Sequence, residues 1–396
     1  KRMVAMQNPI TLFTGQWADM TLEQIAAFAQ RAGYDGLEMA TWGKHYNVQK
    51  ALHPKTGTAY VDNFLRTLDS HNLGVWSFGG HLVGQAIAAK FANDPDLLGI
   101  LPDHIRSSDA ERVRLNAAKE MGDTARAVEK FRDRATKLFG AAKAEKMYSP
   151  HVVTGFTGSP IWHKAYSFPP VSATEIAAGF EEVAYRMARV LDVFRDTGNV
   201  FAKEIHPTEA AFDTVTTERV VDTVNRDEFG VNGDCSHFGY QGVNYLGYNK
   251  RMQERGKFFH THIKDVFWQD VPTVGEGASE TQIEAVENDP RGVSGVHGGH
   301  LPFGDAMRYW DFRSVGRGRL PNGIIIARLI KRGYTGPFSV EWEDALLKRK
   351  AGAIASQLIV RGYRDEKQSL VNRGLAIYKD KRNYQNPSAF DKAFAQ

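Results

Sequence analysis

The sequence predicts an α/β protein built as a (β/α)8 barrel. Eight short apolar runs of strand type alternate with stretches whose apolar residues recur at helical spacing. Charged residues stand at the ends of several of those runs, where barrels gather their functional side chains on the C-terminal face. A chain of 396 residues also has room for one barrel with insertions. The alternative, a doubly wound open sheet, would concentrate those charges at one switch point.

The first unit pairs a strand at residues 9–15 with a helix at 21–31 that Gly33 stops. The second strand, 36–40, precedes a helix at about 60–71, and the third strand covers 74–82. Residues 107–148 are helical and rich in Ala, Lys and Arg, with Gly140 as a break. Asp and Glu are interleaved there, which reads as a solvated face and not as a polyanion-binding surface. Because this stretch exceeds one crossover, residues 123–148 are expected to be a helical insertion before strand four.

Strand four is expected at 152–158, with a helix at 174–196 that ends before Gly198. Strand five is FAKEIHPTE at 201–209, followed by a helix at 217–225. Strand six covers 229–237, a short helix 245–255, strand seven 258–266 and strand eight 338–344. The connection at 268–318 is long and glycine-rich, which suits a lid over the barrel mouth. The expected division is therefore a barrel domain at 1–350 and a C-terminal helical extension with tail at 351–396. That tail is a candidate to pack on the barrel or on another subunit, so a homo-oligomer is among the expected partners.

Fifty basic and 46 acidic residues leave a net charge of +4, too small to argue for nucleic acid or a membrane surface. No apolar run reaches the 18 or so residues of a spanning helix, and KRMVAMQNPITLF lacks the apolar centre of a signal peptide. The single cysteine, Cys235, cannot form an intrachain disulfide, which fits a reducing cytoplasm, the expected location.

Strand five carries the chemistry. Lys203, Glu204 and His206 lie in a run that should be buried, and charge there is costly unless paired or bound to a metal. The same anomaly returns in GDCSH (233–237), FFHTHIKD (258–265) and SVEWED (339–344). Together Glu204, Asp234, His262 and Glu341 supply three carboxylates and one imidazole, a set suited to Mn²⁺, Mg²⁺, Co²⁺ or Zn²⁺. Three acids so close would repel without a cation.

Around them, His206 and His237 are candidates to touch substrate oxygens or to orient ligands, and His260 shares a strand face with His262. Lys264 and Asp265 are expected to pair and steady His262. Trp17, Trp42, His45, His81, Trp162 and His163 follow strands one to four and are candidates to line a substrate pocket. Strand alternation points Cys235 away from Asp234, as a buried inert thiol. The GEG at 275–277 and the GRG at 316–318 lack the spacing of phosphate loops.

Five motifs resemble the xylose isomerase-like TIM barrel superfamily, and within it the sugar phosphate isomerase/epimerase group. They are AGYDGLE at 32–38, E-x-H-P at 204–207, D-x-S-H at 234–237, H-x-H-x-K-D at 260–265 and G-Y-x-G-P-F-S-V-E at 333–341. The resemblance implies one divalent metal ion, Mn²⁺ first, held by Glu204, Asp234, His262 and Glu341. It further implies that Glu204 and Glu341 act as acid and base on opposite sides of a sugar, with His237 on a substrate oxygen. Proton abstraction beside a carbonyl would pass through an enediolate-like intermediate.

The helical insertion and the long loop depart from a compact epimerase. Similar proteins include 3-keto-glycoside lyases or hydratases and C-glycoside-cleaving subunits, in which the same first step leads to elimination. That is the alternative activity, with a keto-glycoside as substrate. A non-catalytic carbohydrate-binding barrel is a third class, and the complete ligand set argues against it.

Overall fold

Short runs of β-branched and aromatic residues, buried on both faces, form the strands of this computed structural model, which describes residues 8–289 and 294–390. The expectation placed on residues 1–7 and that on the end of the tail beyond 390 lie outside the described residues. In chain order the strands are β1 (Ile10–Phe13), β2 (Gly36–Ala40), β3 (Gly74–Gly79), β4 (Tyr148–Gly155), β5 (Val200–Glu204), β6 (Phe229–Asp234) and β7 (Phe258–Ile263). A ribbon of β8 (Asp265–Trp268) and β9 (Trp310–Arg313) follows, and then β10 (Phe338–Val340).

β1 to β7 and β10 close into a parallel eight-stranded barrel. Closure is made by β10, which pairs Ile10 with Phe338 on one side and His262 with Ser339 on the other. This is the (β/α)8 fold the sequence predicts.

Local signals set the helices. Thr21 and Gln24 form a reciprocal cap on the helix Leu22–Ala32, and Gly33, at φ 84°, ends it. Ser172 and Glu175 do the same for Ala173–Asp196. The helix Ala110–Phe139 ends at Gly140 as expected, and Ala141–Met147 follows. Its buried face of Val113, Ala117, Met121, Val128 and Phe131 joins the core, so only its other face is solvated.

Two boundaries move. The helix Arg349–Arg364 crosses the expected limit at 350 and belongs to the ring around the barrel: Ala353 O accepts from Tyr34 Oη at 2.6 Å, and Gln357 donates to Gly33 O at 2.7 Å. Gln368–Ile377 and the segment to Phe390 follow it, and the Phe390 ring packs on Trp342 at 5.6 Å. Strand seven also stops at Ile263, short of 266, because Asp265 opens the antiparallel ribbon with Arg313. The long connection thus contains β9 of that ribbon and the helix Glu280–Glu287, and Phe312 of β9 reaches the barrel mouth. Among the described residues no helix is long and apolar enough to cross a membrane.

Candidate metal centre

Because barrel strands are parallel, their C-terminal ends share one mouth, and four of them deliver the acidic cluster. Glu204 ends β5, Asp234 ends β6, His262 is the penultimate residue of β7, and Glu341 follows β10. All four are buried, and one ligand atom from each lies within 4.8 Å of the others. This is the quartet read from the sequence, and it is a group that could hold a metal ion.

Neighbouring side chains fix each member. Glu204 Oε2 accepts from Asn232 Nδ2 at 3.0 Å and lies 2.9 Å from His81 Nε2, while Oε1 is 3.1 Å from His237 Nε2. Glu341 Oε1 accepts from Gln16 Nε2 at 2.8 Å, and Oε2 accepts from Lys264 Nζ at 2.7 Å. Asp234 Oδ1 accepts from the Ser236 amide at 2.8 Å. His262 Nε2 sits 3.2 Å from both oxygens of Glu38.

The atoms left over face one another. Asp234 Oδ2 and His262 Nδ1 are buried and make no hydrogen bond, although Asp234 Oδ2 is 3.2 Å from Lys264 Nζ and His262 Nδ1 is 3.1 Å from Glu204 Oε2. Burial disfavours the charge of His262, but Glu38, Glu204 and Glu341 outweigh that and lift its pKa well above the ordinary value. Burial also opposes ionisation of Glu204, yet His262, His237 and His81 hold it well below the usual carboxylate range. With no cation present, positive charge must come from protons on the protein. The oxygen-rich donor set fits a divalent ion, which would supply that charge in their place.

Glu38 is the residue sequence reasoning passed over. It is fully buried in β2, accepts from Thr154 Oγ1 at 2.6 Å and lies 3.4 Å from His260 Nε2. Burial opposes its ionisation, but His260 and His262 bring it down to about 2. The signal was available in GLEMA, a charged residue inside a strand buried on both faces. His260 also bonds Asn232 and Ser77, both at 3.1 Å, so it belongs to the scaffold under His262.

Lys264 does not pair with Asp265. Consecutive strand residues point to opposite sides, and Lys264 turns inward to Glu341, to Glu343 at 2.6 Å and to Asp234 at 3.2 Å, with its ammonium 4.2 Å over the Phe312 ring. Asp265 turns outward and accepts from the amides of Val266, Gly316, Gly318 and Leu320. The GRG therefore cradles an anion after all, the protein's own carboxylate. Cys235 is buried, and burial pushes its thiol up to about 12.

A cavity of about 770 Å³ opens over the cluster and is lined by Glu204, Glu341, His81, His206, His237 and Trp42, with Lys264 and Glu343. His206 meets the His237 ring at 4.3 Å. Trp162 and His163 do not line it: after β4 the chain turns outward, Trp162 packs on Phe212 at 5.2 Å and the exposed His163 on Phe91 at 5.8 Å. Trp17 and His45 are core residues. Trp17 stacks on Phe28 at 4.8 Å, and burial pushes His45 down to about 4.

Fold and centre together define a (β/α)8 barrel with a buried, cation-type cluster at its C-terminal mouth. Residues 26–361 match the model of the family described as "Xylose isomerase-like TIM barrel", and the chain belongs to that family. Solved structures similar to it include an L-ribulose 3-epimerase, at 13% identity and TM-score 0.54, covering 92% of this chain and 97% of that one. The probable 3-DHS dehydratase AsbF from Bacillus anthracis, involved in petrobactin synthesis, aligns at 14% and 0.53, covering 89% and 98%. An IOLI protein with a binding zinc atom aligns at 14% and 0.52, covering 92% and 98%. These identities establish a shared fold alone. A search by sequence finds no match among functionally curated proteins.

Proposed function

We propose that this chain is a divalent-metal-dependent sugar isomerase or epimerase. The observation that carries the reading is the convergence of Glu204, Asp234, His262 and Glu341 at a cavity that Glu204 and Glu341 themselves line. These four residues would hold the ion, Mn²⁺ first by its preference for oxygen-rich sites. When bound, it supplies Lewis-acid polarisation of a sugar carbonyl or hydroxyl oxygen. That solved neighbours carry the names of epimerases supports the reading.

The chain's own residues do the rest. Glu38 holds His262 through Nε2 and leaves Nδ1 facing the cluster. Gln16 and Lys264 aim the Glu341 carboxylate, and His81, His237 and Asn232 aim that of Glu204. One carboxylate removes the proton beside the carbonyl to give an enediolate-like intermediate, and the other returns a proton at a different position or face. His237, His206, His81 and Trp42 bind the sugar.

A second reading, elimination or hydration of a 3-keto-glycoside, is favoured by the two imidazoles of His206 and His237 meeting beside Glu204, where they could serve a departing group. Product mass decides between the two. Mn²⁺-loaded protein is expected to give an isobaric product from a sugar panel, whereas loss of an aglycone or gain of water decides for the second. Glu204→Gln and Glu341→Gln each lower kcat by about 10²–10⁴-fold with circular dichroism unchanged. A folded protein that retains none of Mn²⁺, Co²⁺ or Mg²⁺, or normal turnover in both variants, refutes the proposal.

A further inference from the structure

The cavity is larger than a sugar. A hexose has twelve heavy atoms and, even at the roughly 30 Å³ each that water takes in the liquid, fills about 360 Å³. The cavity holds about 770 Å³, within the range of sites for drug-sized ligands. The remaining space extends away from the strand ends to elements of the helical layer: the segment after His81–Ile87, the start of Val48–Leu52, and Glu120 on Ala110–Phe139.

That region has a mixed chemistry. Ile100, Leu101 and Pro102 form an apolar wall, and Ile100 is exposed. Beside them stands Glu120, buried at 7% exposure, whose Oε2 takes both the Gln49 Nε2 donor at 2.6 Å and His104 Nε2 at 2.9 Å. Both contacts fall on one oxygen, so Oε1 is the atom left to accept from a ligand hydroxyl. A carboxylate held this firmly, outside the acidic cluster and on a different layer of the fold, is not needed to bind the metal or the sugar ring.

Charge disfavours a phosphate as the second moiety. Four carboxylates line the cavity, those of Glu120, Glu204, Glu341 and Glu343, against Lys264 and Arg106 as the described lysine and arginine. Lys264 is engaged by three acids, and Arg106 donates Nε to Leu101 O at 2.7 Å and pairs with Asp103 at 3.3 Å. Neither is set to clamp an anion.

We infer that the substrate is a glycoside, with its sugar over the acidic cluster and an apolar, hydroxyl-bearing aglycone between the Ile100–Pro102 wall and the Glu120 carboxylate. This rests on the sugar reading above and narrows it to glycosides; because the glycosidic bond locks the anomeric carbon, the carbonyl that either reaction needs is a keto group elsewhere on the sugar ring. Isothermal titration of Mn²⁺-loaded protein with glucose, glucose 6-phosphate, phenyl glucoside and 4-hydroxyphenyl glucoside tests it. The hydroxyphenyl glucoside is expected to bind at least tenfold tighter than glucose and tighter than the phenyl glucoside.

Glu120→Gln is expected to erase the difference between the two glucosides and to leave glucose binding unchanged. Ile100→Asp, at an exposed position, is expected to weaken both glucosides about tenfold and glucose not at all. Equal binding of glucose and the glucosides, or tightest binding of glucose 6-phosphate, overturns the inference while the sugar reading stands. Binding of none of the four overturns the sugar reading and this inference with it.

Discussion

Lys203 and Glu204 are consecutive, both buried in β5, and they end in opposite situations. Lys203 Nζ lies 2.9 Å from Glu209 and donates to Glu204 O at 3.0 Å, while Glu209 accepts from the Thr157 amide and hydroxyl and from the Gly158 amide, each at 2.9 Å. The Asp265 cradle is another such closed set, four amides on one carboxylate. Around Glu204, by contrast, the Nδ1 atoms of His81 and His237 make no hydrogen bond, and Asp234 Oδ2 and His262 Nδ1 make none either but stand beside charged groups, Lys264 Nζ at 3.2 Å and Glu204 Oε2 at 3.1 Å. A buried charge whose hydrogen bonds the protein completes holds the fold together. One whose neighbours are left incomplete is shaped for something that must arrive.

The sharpest way to break that contrast is to remove one charge from each side. Lys203→Met strands the buried Glu209 and is expected to cost about 3–5 kcal/mol in urea unfolding. Asp234→Asn relieves repulsion among crowded acids, so the chelator-treated variant is expected to unfold at the same urea concentration as the parent or a higher one, while retaining no Mn²⁺ by elemental analysis. Comparable destabilisation in the two metal-free variants would erase the distinction.

A smaller effect sharpens the closed side. A Cβ on Gly318 would sit 2.2 Å from Asp265 Oδ1, so Gly318→Ala is expected to cost about 1–3 kcal/mol with metal content unchanged. Unchanged melting would show that the cradle yields.

The smallest concerns pH. Burial pushes the His45 imidazole from an ordinary 6.5 down to about 4, against the pull of Asp19. As pH falls through 6.5 the unfolded chain takes up a proton that the folded chain refuses until near 4, so stability is lost across that window. Between about pH 7.5 and about pH 5.5 the loss is about 1 kcal/mol, and His45→Gln is expected to remove that part of the pH dependence. An identical pH profile in the variant would contradict it.

The fold and the quartet were legible because both rest on local patterns. Alternating strand and helix periods reveal a barrel, and a charge inside an apolar run marks each acidic strand end. Glu38 carried the same signal in GLEMA, but its partner His262 is 224 residues away, and no spacing announces that contact. The Lys264–Asp265 expectation failed on adjacency, since neighbours along a strand face apart. Trp162 and His163 failed because a loop's direction after β4 is set by what it packs against, here Phe212 and Phe91.

By itself, then, the sequence determined the eight strands, the helix stops at Gly33 and Gly140, and the four side chains at the barrel mouth, because periodicity and the cost of burying charge act over a few residues. Only the tertiary structure decided which buried charges are closed and which open, what Lys264 holds, and how far the cavity reaches beyond the acidic cluster to Glu120. Those depend on contacts between layers that the chain brings together only when the ring of helices has closed around the barrel.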